Sequence, residues 1–259
     1  DCVSLETVEL PRLVTAIEKG GFYNCDSLTE IIWSQKISSI GESAFAECDA
    51  LVSMVIPETV TSIGEYAFCG CEALSPAFRL SASGGTIGNR AFYNCTSLTK
   101  INYNAISLAD LSRNNRIFSY AGQSGDGITV TVGSSVTKIP AYLFYPYSSS
   151  GYAPKIVAVE FAEESNCQSI GSYAFCNCNG LTELTLPESL QTIGSSAFQG
   201  CSALTELVLP DTVTSIGSDA FNGCSSLTEI TIPAVNPKDG SNICIISEDR
   251  KFTFHILEE

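Results

Sequence analysis

The chain has 259 residues, of which 44% are hydrophobic and only 16% charged. It is long enough to bury a large core, and its polar surface must come mostly from uncharged side chains. The 28 acidic residues outnumber the 13 basic ones, which gives a net charge of -15. This balance excludes a general nucleic-acid binder, because phosphates repel an acidic surface. No apolar run approaches the roughly 20 residues that a membrane-spanning helix needs, so we expect no membrane span.

The chain opens in the middle of a repeat. Cys2, Leu5, Val8 and Leu10 fall in the same register as a degenerate copy that starts at Ile17. We therefore expect the sequence to be a piece of a longer protein.

Six copies of the string Ile-Gly-x-x-Ala-Phe-x-x-Cys organise the rest of the chain. When the isoleucine is counted as position 1, phenylalanine holds position 6, cysteine position 9 and leucine position 12, and aliphatic residues usually hold positions 15 and 17. One unit of about 23 residues cannot bury these side chains alone, so neighbouring units must stack into a solenoid. The copies start at Ile40, Ile63, Ile87, Ile170, Ile193 and Ile216.

The spacing within each unit predicts its local structure. The period-2 pattern around positions 15 and 17 predicts a strand with one buried face, and the aliphatic residues at positions 21 and 1 predict a second short strand. We expect the glycine at position 2 to allow a turn with positive φ, and positions 3 to 6 to form a single helical turn. The predicted fold is an α/β repeat solenoid of about ten turns with a parallel sheet, each turn rising roughly 4.8 Å.

Composition changes predict where the solenoid is interrupted. We expect the solenoid to span residues 1–233, with surface-loop insertions near 104–127 and 146–155 that are rich in Ser, Gly, Asn and Tyr. The repeat stops after Pro233. Residues 234–259 are predicted to form a C-terminal cap, with a hairpin of 243–246 and 252–257 that covers the last turn.

Charge is distributed unevenly along the chain. Residues 156–237 contain nine acids and neither Lys nor Arg, whereas residues 79–138 contain six basic residues and two acids. This asymmetry fits either a surface that steers a charged partner or simple solubility.

The cysteines are predicted to be core residues. Cys201 and its equivalents at position 9 stack with parallel Cα–Cβ bonds about 4.8 Å apart, which is too far for a disulfide, so we expect buried free thiols. The pairs Cys69/Cys71 and Cys176/Cys178 lie too many turns apart to share a zinc ion. We expect no metal and no cofactor.

Catalytic motifs are absent from the sequence. The single histidine, His255, lies in an alternating apolar segment, and no nucleophile elbow or phosphate loop stands in its required context. We expect that the protein is not an enzyme.

Candidate binding residues lie on the predicted surface. Ile32, Val55 and Phe78 are assigned to position 16, on the outer side of the sheet, where apolar side chains add nothing to the core. Tyrosine together with Ser and Gly is a frequent composition of recognition loops. The second group of candidates lies in or beside the insertions and comprises Tyr103, Tyr120, Tyr145, Tyr147 and Tyr152.

The repeat resembles the BspA-like leucine-rich repeat family of bacterial surface proteins over residues 2–233. The cysteine three residues before the position-12 leucine is the feature that carries the resemblance. It implies a right-handed leucine-rich-repeat superhelix and an extracellular or cell-surface location. It also implies an adhesin-like role, with a protein partner from host extracellular matrix or another cell surface. The alternative is a passive structural spacer that presents another domain. Since a solenoid buries its core within one chain, we expect a monomer.

Overall fold

The computed structural model describes residues 1–52, 54–74, 77–80, 85–106, 108–146, 150–233 and 253–257. Within them the chain forms short strands joined by turns, with one brief 3-10 helix at Ser150–Tyr152. The strands form two rows, because most repeats contribute one strand around position 15 and a two-residue strand that ends at position 1. The predicted repeat architecture with parallel sheets is confirmed, while the right-handed coiling and the count of about ten turns stay predictions.

The strands are numbered in chain order and fall into the two rows as follows. The row around position 15 contains β1 (Thr7–Glu9), β3 (Glu30–Ile32), β6 (Ala77–Leu80), β8 (Lys100–Tyr103), β9 (Ile128–Val132), β11 (Ile156–Phe161), β13 (Glu183–Leu184), β15 (Glu206–Val208), β17 (Glu229–Pro233) and β18 (Thr253–Leu257). The row that ends at position 1 contains β2 (Ala16–Ile17), β4 (Ser39–Ile40), β5 (Ser62–Ile63), β7 (Thr86–Ile87), β10 (Lys138–Ile139), β12 (Ser169–Ile170), β14 (Thr192–Ile193) and β16 (Ser215–Ile216).

Every strand pair in the described residues is parallel, and equivalent residues of neighbouring repeats face each other. Val8 pairs with Ile31 in the first row, and Ile193 pairs with Ile216 in the second. Strand β18 also pairs in parallel with β17, with Phe254 opposite Ile230. Residues 253–257 therefore continue the sheet by one more strand. The other half of the predicted hairpin, 243–246, lies outside the described residues, and the cap stays a prediction.

The turn after position 1 is not helical, which corrects the sequence prediction. Its alternate backbone N–H groups bond to the next repeat: those of Ser43, Phe45 and Glu47 donate to carbonyl oxygens one repeat later, each at 2.8 Å. This alternation resembles strand pairing and leaves no run of helical hydrogen bonds. Positive φ occurs at positions 4 and 8 of most repeats, for example at Ser43 (51°) and Glu47 (58°).

The glycine at position 2 is required for a different reason from the one predicted. None of these glycines has a φ in the left-handed region. A Cβ on Gly194 would instead lie 2.5 Å from the Ser172 backbone nitrogen, and one on Gly217 would lie 2.3 Å from that of Ser195. Consecutive turns approach so closely here that only a residue without a Cβ fits.

A continuous stack of phenylalanine rings fills the core. The position-6 rings have centroids 5.2 to 5.7 Å apart from one repeat to the next, and most neighbours are stacked. Such aromatic contacts stabilise beyond the burial of apolar area. The stack consists of Phe22, Phe45, Phe68, Phe92, Phe118, Phe144, Phe175, Phe198 and Phe221.

The stack shows that residues 104–127 are not a surface loop, which corrects the predicted insertion there. Ile117, Phe118 and Ala121 are buried, and the Phe118 ring lies between those of Phe92 and Phe144. Ile101 of β8 pairs with Val130 of β9, 29 positions later. The segment is thus a lengthened repeat whose extra residues are accommodated without interrupting the core.

The cysteines in the described residues carry free thiols, as the sequence predicts. Position-9 thiols donate to the phenylalanine carbonyl of the preceding repeat, as from Cys71 Sγ to Phe45 O (3.1 Å) and from Cys201 Sγ to Phe175 O (3.3 Å). Burial raises the pKa of Cys48 to about 12 and raises that of Cys201 well above its usual range. A protonated thiol is required for this bond, so the fold favours the neutral form of these thiols.

Candidate protein-binding surfaces

Two of the three predicted apolar residues are exposed at position 16 of their repeats. Ile32 and Val55 expose 45% and 60% of their surface, on neighbouring repeats. Exposed Glu9 lies beside Ile32 on β1, and exposed Glu30 lies two residues before it. We call Ile32 and Val55 the sheet patch. Val208, at the same position of a later repeat, is exposed by 62%.

Phe78 does not share the register of the sheet patch, which corrects its assignment to position 16. It pairs with Ile101, a fully buried position-15 residue, whereas Arg79 pairs with Asn102 in the outward register. The cause is the 24-residue length of this repeat. Its extra residue precedes β6, so that three residues lie between Leu74 and Phe78 where two lie between Leu98 and Ile101.

Tyr103 is buried, which removes it from the predicted binding residues. Only 1% of its surface is exposed, because β8 places it on the inward side. Burial, and then the proximity of Cys167, raises the pKa of its hydroxyl. That hydroxyl finds no hydrogen-bond partner among the described residues. Tyr147 lies outside the described residues.

Tyr120 and Tyr152 belong to a continuous surface cluster that the sequence did not reveal. Arg90 lies over the rings of Tyr66 (5.3 Å) and Tyr93 (5.7 Å), and its Nη1 donates a hydrogen bond to the Tyr66 hydroxyl. Tyr93 contacts Tyr120 edge-on at 5.3 Å, and Tyr120 contacts Tyr152 at 5.1 Å. We call these five residues the tyrosine–arginine band.

Tyr145 belongs to a second cluster, on the repeats that contain Phe144 and Phe175. Tyr142 stacks on Tyr173 at 5.0 Å, and Tyr145 meets both rings edge-on. A hydrogen bond with Tyr145 raises the pKa of the Arg113 guanidinium. We call Tyr142, Tyr145 and Tyr173 the tyrosine triad.

The band and the triad occupy one face of the molecule, which we call the turn face. Tyr66, Arg90, Tyr142 and Tyr173 hold position 4 of their repeats, and Arg116 holds it in the lengthened repeat. Positions 7 and 8 of the same turns hold the remaining ring residues of the two clusters, apart from Tyr152. These residues are far apart in the chain but share the same few repeat positions. Aligning the repeats would therefore have revealed the clusters from the sequence.

Several of these residues have a left-handed backbone, which is unusual for bulky side chains. Tyr66, Arg90, Tyr120, Tyr142 and Tyr173 have φ between 54° and 63°. Such a conformation costs about 1–2 kcal/mol in a residue with a Cβ. Glycine occupies equivalent positions elsewhere, as at Gly20, Gly200 and Gly223. Tyrosine and arginine are therefore held on this face although glycine would satisfy the backbone at lower cost.

A polar trough of about 450 Å³ lies on a different part of the surface, along the second strand row. Hydroxyls and glycine backbone line most of it, including Ser169, Thr192 and Gly194, and Lys138 and Asp110 form an ion pair of 2.7 Å at its edge. Burial alone would raise the pKa of Asp110, but hydrogen bonds from Lys138 and from the Ala141 backbone lower it.

The residues that the structure describes contain neither a metal-binding cluster nor a membrane-spanning helix. In that part of the chain, no group of three or more His, Cys, Asp or Glu side chains is arranged to hold a metal ion. The same part contains no helix with the length and apolarity needed to cross a bilayer.

Comparison with known sequence families gives one match that spans most of the chain. The model of the BspA type leucine-rich repeat region matches in six copies, over residues 1–123, 77–154 and 151–244. No significant match is found among the curated proteins.

Three solved structures show similarity at low identity. A leucine-rich repeat protein from Bacteroides ovatus is 19% identical, with 99% of this chain and 85% of that chain covered and a TM-score of 0.39. A leucine-rich cell surface protein from Faecalibacterium prausnitzii is 22% identical, with coverage of 90% and 75% and a TM-score of 0.39. The pneumococcal vaccine antigen PcpA is 23% identical, with coverage of 90% and 63% and a TM-score of 0.42.

Proposed function

The chain belongs to the BspA-type leucine-rich repeat family, and from that premise we propose that it is a non-enzymatic, adhesin-like module that binds protein at a bacterial cell surface. The partner is a protein of the host extracellular matrix or of another cell. The location is extracellular, and the module acts as a monomer with no cofactor.

The observation that carries this proposal is the concentration of tyrosine and arginine on the turn face. Tyrosine and arginine are enriched among the residues that dominate binding energy in protein interfaces. In the tyrosine–arginine band, four tyrosines and one arginine form an unbroken chain of contacts from Tyr66 to Tyr152. A passive spacer has no need of such residues at positions where the backbone favours glycine.

The sheet patch is a second candidate contact surface. Ile32 and Val55 are exposed on neighbouring repeats and contribute little to the core. Two aliphatic side chains offer less contact area than the band, and aliphatic residues are less common among binding hot spots. We therefore propose that the turn face holds the partner and that the sheet patch contributes less.

The test is binding of the chain to a panel of immobilised extracellular-matrix proteins, measured by biolayer interferometry. The informative variant is Tyr120→Gly combined with Tyr152→Ser. Glycine at position 120 suits the left-handed backbone, as Gly70, Gly200 and Gly223 show at the same position of other repeats. We expect the affinity of the variant for a bound panel protein to fall at least about tenfold, which corresponds to about 1.4 kcal/mol.

The matched control is Asn24→Gly combined with Tyr23→Ser. Asn24 holds the same repeat position as Tyr120 and also has positive φ (54°), and Tyr23 is exposed by 43% against 42% for Tyr152. The control should bind like the parent protein. Equal affinity of the parent and of the Tyr120/Tyr152 variant would contradict a role of the turn face in binding.

A further inference from the structure

The turn face carries three arginines in a chain whose net charge is strongly negative. They are Arg90 within the band, Arg113 hydrogen-bonded to Tyr145, and Arg116 at position 4 of the lengthened repeat. All three belong to the stretch 79–138, which has six basic residues and two acids in a chain of net charge -15. One of those acids, Asp110, is already paired with Lys138 at 2.7 Å.

The Arg90 guanidinium has hydrogen-bonding capacity that the fold does not use. Its Nη1 donates to the Tyr66 hydroxyl, and its Nε, which is buried, finds no acceptor among the described residues. Because the Nε is shielded, a partner anion meets the positive charge of this half-buried residue and not the Nε–H itself. Guanidinium groups pair preferentially with carboxylates and phosphates.

The tyrosines around the arginines supply hydroxyl donors and ring surface and carry no negative charge at neutral pH. Burial, and then Tyr152 and Tyr93, raise the pKa of Tyr120, and burial followed by Tyr173 raises that of Tyr142. The rings pack against each other at 5.0 to 5.7 Å and form a contact surface within each cluster. The face is therefore suited to a partner that lies across it and presents carboxylates.

We propose that the turn face, from Tyr66 to Tyr173, docks an acidic segment of a partner protein, with partner carboxylates on Arg90 and Arg113 and partner side chains against the phenol rings. This inference rests on the proposed function and names the chemistry of the partner. Charge complementarity is the reason for an acidic partner: much of the remaining surface is acidic and repels such a segment, so this face also selects the orientation of docking.

The test uses fluorescence anisotropy with two short labelled peptides, one alternating Glu with Ser and the other alternating Lys with Ser. We expect saturable binding of the Glu peptide to the full chain, weakened as the ionic strength rises because exposed charges are screened. The lysine peptide should not compete for the same site. Absence of saturable binding of the Glu peptide up to about 1 mM overturns the proposal.

Two single-charge variants assign the binding to the turn face. Arg113→Gln removes an exposed arginine from it, and Arg12→Gln removes an exposed arginine from a different part of the chain. Each variant removes one positive charge. A general electrostatic effect would therefore weaken the binding of the Glu peptide equally in both. We expect Arg113→Gln to weaken binding of the Glu peptide about tenfold and Arg12→Gln to leave it nearly unchanged. Equal effects of the two variants overturn the proposal.

A sulfated oligosaccharide tests the other class of acidic partner. If it binds more tightly than the Glu peptide and loses affinity in Arg113→Gln, the partner is an acidic polysaccharide and the proposal is wrong. The outcome is separable from that of the proposed function. If matrix-protein binding depends on Tyr120 and Tyr152 but not on salt or Arg113, the result supports the binding function and contradicts the acidic partner.

Discussion

The glycine at position 2 recurs in this chain because of crowding between turns. Its backbone N–H extends the ladder of the second strand row, as from Gly194 N to Ile170 O at 2.8 Å. The sequence predicts a glycine there but not its cause, since a string of letters shows which residue recurs and not what lies against it. Positive φ is instead adopted at positions 4 and 8, frequently by residues other than glycine.

Replacement of one such glycine should be destabilising out of proportion to the single methyl group added. We expect Gly194→Ala to lower the free energy of unfolding by about 1–3 kcal/mol or more, because its Cβ would lie 2.5 Å from the Ser172 backbone nitrogen and that backbone cannot move without shifting the turn. Urea denaturation followed by circular dichroism measures the change.

Gly125→Ala is the matched control for this substitution. A Cβ on Gly125 would have its nearest neighbour at 3.8 Å, the Thr99 side chain, and its φ is not in the left-handed region. Alanine there should be neutral or stabilise slightly, since it reduces the freedom of the unfolded chain. An equal loss of stability in the two variants would show that turn crowding is not the reason for the glycine.

At the scale of structural elements, the phenylalanine stack and the hydrogen-bonded thiols at position 9 hold consecutive turns together. The sequence located the members that follow the repeat signature, such as Phe198 and Cys201. It missed Phe118, because Arg113 and Asn114 stand where that repeat would have its isoleucine and glycine and because the repeat is lengthened. A search for the repeat signature cannot detect a repeat that fills the core without that signature. The ring contacts of Phe118 with Phe92 and Phe144 identify it as a member of the stack.

The buried thiols predict a loss of stability in alkali. In the folded chain burial raises the pKa of Cys48 to about 12 and that of Cys176 to about 11, while unfolded thiols ionise near pH 8.5–9. Above about pH 9 the unfolded chain releases protons that the folded chain retains, so the free energy of unfolding falls as pH rises. Below that pH the contribution is fully present.

Cys201→Ser isolates one thiol of this set, because serine keeps a hydrogen-bond donor and does not titrate in this range. The difference in unfolding free energy between the parent and this variant should shrink by about 1 kcal/mol between pH 9 and 10, measured by urea denaturation under reducing conditions. A difference that does not change with pH would mean that Cys201 is not a buried, ionisable thiol.

At the scale of the whole molecule, stacking converts scattered residues into surfaces. Tyr66 and Tyr173 are more than a hundred positions apart in the sequence but occupy the same position of their repeats, and so lie on one face. The sequence predicted two tyrosines of the tyrosine–arginine band and one of the triad from local composition, and it assigned Tyr103 to the surface although β8 turns it inward. The repeat register determines which face contains the aromatic and basic residues. A prediction from the local composition of loops does not use that register.

The central claim is that the turn face, and not the sheet, contacts the partner. Hydroxyl-radical footprinting of the chain with and without a bound matrix protein tests it most directly, because mass spectrometry reads each tyrosine separately. We predict strong protection of Tyr120 and Tyr152 in the complex, with Tyr23, equally exposed in the free chain, modified as before. Protection of the segment that contains Ile32 and Val55, with Tyr152 still fully modified, would contradict the account.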